Sequence, residues 1–293
     1  MKRVIRLAAL ALAVTMLLCA CGSKSTGKPV VRFSSKQFSE SRIVAEVYAL
    51  ALEDAGVPIE RMFGVSAIQE AIAAGEIDIY PEYTGTGLIV VLGLDPLYDP
   101  QEVYDTVKKG YAEKLNITWL DYAEANDGEG LVIRTDVAEE KNIYTISDLQ
   151  KHAGEIRIAT QGEFEEREDG QKALEKVYGP FEWKSLTVYS DALKYDILDS
   201  NEADLAPAYT TEAYLTLPQF TLLEDDKHVW PPYNIAPIVR NEILEAYPEI
   251  ADVCNAVSKT LTTEVVTALN ARVDLDGEEP ADVARDYYES IKK

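Results

Sequence analysis

The chain has 293 residues, with 51 Asp plus Glu against 28 Lys plus Arg and a formal net charge of -23. So acidic a surface repels phosphate backbones and anionic lipid headgroups, which excludes binding to nucleic acid or to a membrane through a basic face. Two His and three Cys are too few for a zinc cluster or a disulfide framework, so no metal and no cofactor is expected, and the chemistry falls to carboxylates and the 17 Tyr.

Residues 1–20 read as an export signal rather than as part of the fold. Lys2, Arg3 and Arg6 form a basic start, and Leu7 to Leu18 is an apolar run shorter than the roughly 20 residues of a spanning helix. The run ends in Leu18-Cys19-Ala20-Cys21-Gly22, which resembles the bacterial lipobox. Cys21 is then the acylated N-terminus and membrane anchor, residues 21–29 are a polar tether, and the protein sits extracytoplasmically on the outer face of the cell membrane. An ordinary signal peptide cut after small residues is the competing reading.

Beyond the tether, strand and helix patterns alternate. Val30 to Phe33 is a short β-type run, and Ser41 to Ala55 is helical, with Ile43, Val47, Leu50 and Ala51 on one face and Gly56 as its stop. Ile68 to Ala74 is a shorter helix, followed by a strand over Ile77 to Tyr80 bounded by Gly75 and Pro81. Leu131 to Ile133, Ile156 to Ile158 and Ile238-Val239 are further buried strands. The alternation predicts an α/β architecture with largely parallel sheets.

An internal echo carries more information. Glu76-Ile77-Asp78-Ile79-Tyr80-Pro81-Glu82-Tyr83-Thr84 returns as Glu202-Ala203-Asp204-Leu205-Ala206-Pro207-Ala208-Tyr209-Thr210, identical at five of nine positions with an offset of 126. Chance between two helix-strand-loop units is one explanation. The other is two similar lobes, each carrying a tyrosine at the carboxyl end of a strand, where open α/β sheets bind ligands.

Three stretches together resemble one family. They are Ser35-Lys36-Gln37-Phe38-Ser39-Glu40, Gly75 to Leu88 with its Tyr80-Pro81-Glu82-Tyr83-Thr84-Gly85-Thr86-Gly87 core, and Leu223 to Pro237 with Trp230-Pro231-Pro232-Tyr233-Asn234. The family is the substrate-binding proteins of ABC transporters for glycine betaine, choline, carnitine and related quaternary amines, and the likeness runs from about Val30 to Lys293. It implies a two-lobed periplasmic-binding-protein (Venus flytrap) fold with a central sheet in each lobe and two chain crossovers. Lobe I is then residues 30–129 plus 236–293 and lobe II residues 130–235, hinged near Glu129 to Leu131 and Tyr233 to Pro237. It also implies delivery of the ligand to an ABC permease.

A quaternary ammonium has no N–H to donate, so it is recognised by the negative faces of aromatic rings, each contact contributing about 2 kcal/mol when desolvated. By resemblance the cage rings are Tyr83, Tyr209 and Tyr233, with Trp230 either a further ring or a hinge-packing residue. Likewise by resemblance, Lys36, Thr86 and Arg167 are the donors for a ligand carboxylate, although Arg167 among its acidic neighbours also reads as a surface ion pair.

One position departs from the family. After Trp119-Leu120-Asp121 the register places Glu129 where a further cage tyrosine is expected. Either Glu129 meets a ligand with an extra donor group, amino, hydroxyl or imidazole N–H, or it points to solvent and another residue such as Tyr122 fills the gap. Choline, carnitine, glycine betaine and the trimethylated histidine derivative ergothioneine all remain open.

Enzymatic readings find little support. There is no nucleophile elbow, P-loop or His-Glu-x-x-His run, and Asp274-Leu275-Asp276-Gly277 lacks the ligand spacing of a calcium loop. The expectation is a binding protein and not an enzyme; a ligand sensor of the same fold, uncoupled from uptake, is the alternative.

Overall fold

The computed structural model describes residues 28–190 and 193–292. The export signal and Cys21 lie outside the described residues. Two five-stranded sheets form the framework. The first holds β1 (Val31–Ser35), β2 (Ile59–Phe63), β3 (Ile79–Tyr83), β4 (Ile117–Trp119) and a strand from the far end of the chain. The second holds β5 (Glu129–Arg134), β6 (Arg157–Thr160), β7 (Ser185–Val188), β8 (Leu205–Tyr209) and β9 (Phe220–Leu222). The late strand is β10 (Ile235–Arg240), which returns the chain to the first sheet.

The strand orders are β2-β1-β3-β10-β4 and β7-β6-β8-β5-β9, the same pattern twice. In each sheet one strand runs against the rest: β10 is antiparallel to β3 and β4, and β5 is antiparallel to β8 and β9. The sheets are therefore mixed rather than purely parallel. Each reversed strand is the one that follows a crossover, because a chain arriving from the neighbouring lobe enters from the cleft side, where the parallel strands end. Glu129 is the first residue of β5, in the second sheet, and Ile235 is the first of β10, in the first sheet, so each boundary falls one residue earlier than the sequence suggests.

The echo is the product of this repetition. Its two copies are β3 and β8, and in each the aspartate before the strand is gripped by an arginine from the neighbouring parallel strand. Asp78 accepts from Arg32 Nε at 2.9 Å and Nη2 at 2.7 Å, and Asp204 accepts from Arg157 Nε at 3.0 Å and Nη2 at 2.5 Å. Pro81, read as the end of its strand, lies inside β3 opposite Pro237. A proline is tolerated where the ladder does not call on its missing N–H, and β3 consequently runs on to Tyr83.

The echo threonines clamp the crossovers. Thr84 Oγ1 donates to Pro232 O at 3.0 Å and accepts from Asn234 N at 3.0 Å, while Thr210 Oγ1 donates to Asn126 O at 3.1 Å and accepts from Gly128 N at 2.8 Å. The crossing segments lie side by side, bridged between Asn126 and Asn234 and by Asp127 N to Tyr233 O at 3.1 Å. The junction is thus centred just before the hinge positions expected from sequence.

Helices cover both sheets. The first, α1 (Ser39–Asp54), buries Ile43, Val44, Val47, Tyr48 and Leu52 against β1, and Gly56 follows it with φ +84°, a conformation open to glycine. It starts two residues earlier than its apolar periodicity indicates, which carries Glu40 into its first turn. The second, α2 (Ile68–Ala74), ends at Gly75 in the left-handed conformation. Among the described residues no helix is long and apolar enough to cross a membrane.

Candidate functional site

A cavity of about 1060 Å³ opens between the lobes, and the ends of β1, β3 and β8 and the start of β5 converge on it. Tyr83 closes β3 and Tyr209 closes β8, while Tyr233 lies two residues before β10. All three line the cavity. Phe38, the residue before α1, stands between two of them, with its ring 6.0 Å from Tyr83 and 6.1 Å from Tyr209, stacked at 16° on the latter. Sequence reasoning passed over Phe38 because the motif around it was read for Lys36; an apolar ring at a helix start, off the helix's buried face, was the available signal.

Two of the three tyrosine rings are fixed at their rims. Tyr83 donates its hydroxyl to Glu40 Oε1 at 2.8 Å, and Tyr233 donates to Asp169 Oδ2 at 2.8 Å. Burial, with Glu40 beside one and Asp169 beside the other, pushes both phenols well above their ordinary range, so they remain neutral donors. The Tyr233 ring lies against Gly85, where a Cβ would come within 2.7 Å of it. That contact gives the glycine of the Thr84-Gly85-Thr86 turn a steric reason.

The three expected carboxylate donors differ in what they have left to offer. Lys36 is paired with buried Glu82 at 2.6 Å, and its ammonium lies 4.7 Å from the centre of the Tyr83 ring. Arg167 directs Nε and Nη2 to Asp169, both at 2.7 Å, and shares Nη2 with Glu129 at 2.9 Å. Burial pulls on this guanidinium downwards, yet Glu129 and Asp169 together hold it above its usual value. It is therefore not a free fork. Thr86 is nearly buried, lines the cavity, and makes no hydrogen bond through its hydroxyl to the described protein.

Glu129 does not point to solvent. Its side chain is 7% exposed, it lies opposite Tyr209 in the β5/β8 register, and burial pushes it up to about 7 even with the Arg167 charge beside it. Tyr122 does not fill the gap, since its ring packs 5.0 Å from Tyr104 and its hydroxyl meets Gln101 at 3.3 Å, away from the cavity. Trp230 donates Nε1 to Asp169 O at 2.6 Å and packs behind the wall. Asp274, half of the weak calcium-loop pattern, ends a helix and accepts from Ser39 Oγ at 2.6 Å.

Comparison with known proteins yields consistent findings. The family described as the substrate binding domain of the ABC-type glycine betaine transport system matches residues 29–290. The carnitine transport binding protein OpuCC of Listeria monocytogenes is 32% identical over 288 residues, covering 95% of this chain and 93% of that protein. The ergothioneine transport permease/ergothioneine binding protein of Helicobacter pylori is 31% identical over 268 residues, covering 90% of this chain and 48% of that longer protein. A crystal structure described as a glycine betaine/carnitine/choline ABC transporter superposes with a TM-score of 0.71 at 27% identity, covering 89% of this chain and 98% of the other.

Proposed function

Since this chain belongs to the family of substrate-binding domains of ABC-type glycine betaine transport systems, we propose that it captures a quaternary ammonium compound between its lobes and delivers it to an ABC permease, anchored by lipid on Cys21 at the outer face of the cell membrane. The observation that carries this reading is the convergence of Phe38, Tyr83, Tyr209 and Tyr233 on one cavity. Three or four ring contacts with a desolvated trimethylammonium, at about 2 kcal/mol each, together with a polar contact reach roughly 8 kcal/mol, a micromolar affinity.

The rest of the wall bears on which amine it is. Arg167 is compensated by two carboxylates and Lys36 by Glu82, so a ligand carboxylate would compete with protein anions already in place. Glu129 offers the opposite chemistry, an acceptor whose second oxygen makes no hydrogen bond to the described protein. A quaternary amine bearing an O–H or N–H donor, such as choline or ergothioneine, suits that acceptor better than glycine betaine does. Calorimetric titration with choline, carnitine, glycine betaine, ergothioneine and the neutral carbon isostere of choline tests both points. The expected order places the donor-bearing cations first and the isostere last; an isostere that binds as tightly as choline removes the cage, and a preference for glycine betaine removes the role given to Glu129.

A further inference from the structure

A buried group of side chains at the back of the cleft joins the lobes. Thr211, just after β8 in the second lobe, places Oγ1 2.5 Å from Glu40 Oε2 on α1 of the first lobe and 2.6 Å from Asp127 Oδ1 on the crossover. A hydroxyl has one proton to donate. It satisfies one carboxylate, and the other oxygen at such a distance needs a proton of its own. Two ionised carboxylates on one threonine hydroxyl would leave two lone pairs facing each other in a site where Glu40 is 4%, Asp127 4% and Thr211 1% exposed.

The position of the extra proton follows from the partners. Glu40 also accepts from Tyr83 Oη at 2.8 Å and from Asn270 Nδ2 at 3.0 Å, and it lies in the first turn of α1, where a helix favours negative charge. The side chain of Asp127 has Thr211 as its hydrogen-bond partner and no other among the described residues. Burial, with the Glu40 charge next to it, pushes Asp127 well above the carboxylate range. The chain of donors thus runs from the Asp127 carboxyl to Thr211 and from Thr211 to the Glu40 carboxylate. Asn270 Nδ2 completes the contact by also donating to Thr211 O at 3.1 Å.

Glu40 therefore does two things at once: it holds the rim of a cage ring of the first lobe, and it receives a hydrogen bond from the second. We propose that Glu40, Thr211 and Asp127 form a proton-bearing latch that draws the lobes together and sets the Tyr83 ring in the same step, so that closure takes up one proton from water onto Asp127. When the lobes part, Thr211 leaves Glu40, water reaches Asp127, and the carboxyl O–H is given back to solvent. The other charged and titratable groups that face the latch are Glu212 after β8, Glu129 on β5, Glu82 on β3, Asp274 at the end of its helix, and the cations Lys36, Lys194 and Arg167 around the cavity. Glu212 and Glu129 add to the pressure on Asp127 to stay neutral. Glu129 titrates near 7, so the latch is best observed above that pH.

The latch rests on the proposed capture only for the identity of the ligand, and its test has an arm without one. X-ray scattering of the ligand-free protein from about pH 7.5 to 9.5, above the titration of Glu129, should show the compact form losing ground as pH rises. Asp127→Asn, whose amide donates to Thr211 at any pH, should make compactness independent of pH. With choline as the probe at pH about 8.5, titration in buffers of different ionisation enthalpy should show net proton uptake by the parent and none by Asp127→Asn. Should Asp127→Asn fail to fold, Asp127→Ser removes the titrating carboxyl, keeps a hydroxyl that can donate to Thr211 and should likewise abolish the pH response. A parent whose compactness is flat across this range, or variants that keep its pH response, overturns the latch; failure of choline to bind while compactness still follows pH counts against the ligand assignment and leaves the latch supported.

Discussion

Replacing Glu129 by Gln separates a residue kept for binding from one kept for stability. Burial lifts this carboxyl from 4.5 to about 7 in the folded protein. The folded state thus holds a proton that the unfolded chain has already released, and stability falls as pH rises from about 4.5 to about 7, then levels off. A difference of that size corresponds to roughly 3 kcal/mol. Gln keeps the shape, carries no charge to desolvate, and leaves Arg167 still held by Asp169 through two bonds of 2.7 Å. Glu129→Gln should therefore equal the parent in stability near pH 4.5 and exceed it by about 3 kcal/mol at pH 8, a melting temperature higher by on the order of 6–12 °C. It should at the same time weaken choline binding at pH 8. Thermal unfolding of both proteins from pH 4.5 to 8, with calorimetric titration at pH 8, checks this. If the variant is the less stable protein at pH 8, or the gap between the two does not change with pH, Glu129 is a net stabilising partner of Arg167 and the reasoning is refuted.

The remaining predictions concern the proposed cage and the fold that carries it. Tyr83→Leu, Tyr209→Leu and Tyr233→Leu keep apolar bulk and remove the ring quadrupole, and each should weaken choline binding by about 0.5 to 2 kcal/mol in titration; Phe38→Leu should do the same, and unchanged affinity in all four excludes a cage. Gly85→Ala places a methyl 2.7 Å from the Tyr233 ring, so it should lower affinity with little loss of melting temperature, whereas an unaffected Kd would show that the Tyr233 ring shifts without consequence. Asp78→Ala leaves Arg32 and Arg240 without their shared carboxylate, 1% exposed in its side chain, and should destabilise the fold by about 3 kcal/mol in denaturant titration.

The sequence by itself determined the repeated unit. Helical periodicity, the Gly stops and the offset of 126 lie in local residue order, and so the echo of Asp78 and Tyr83 by Asp204 and Tyr209 was visible before any strand was placed. What it stood for was not visible, because the arginine grips and the threonine clamps join residues 46 to 150 positions apart. Strand direction was hidden for a related reason: β5 and β10 are continuously buried like β3 and β8 beside them, and only the return of the chain across the cleft reverses them.

The site divides the same way. That Tyr83, Tyr209 and Tyr233 share one cavity was expected from motifs, since each sits at a strand end or beside a crossover. How much charge each polar residue has left to give was decided by the tertiary structure alone. Arg167 reads as an open fork until folding sets Asp169 and Glu129 against it, and Lys36 reads as a free cation until Glu82 is buried beside it. Glu40 and Asp127 look like ordinary solvated acids in sequence. They become a linked pair only because a threonine of the opposite lobe is brought within 2.6 Å of both, and sequence order carries no information about which lobe surface will face which.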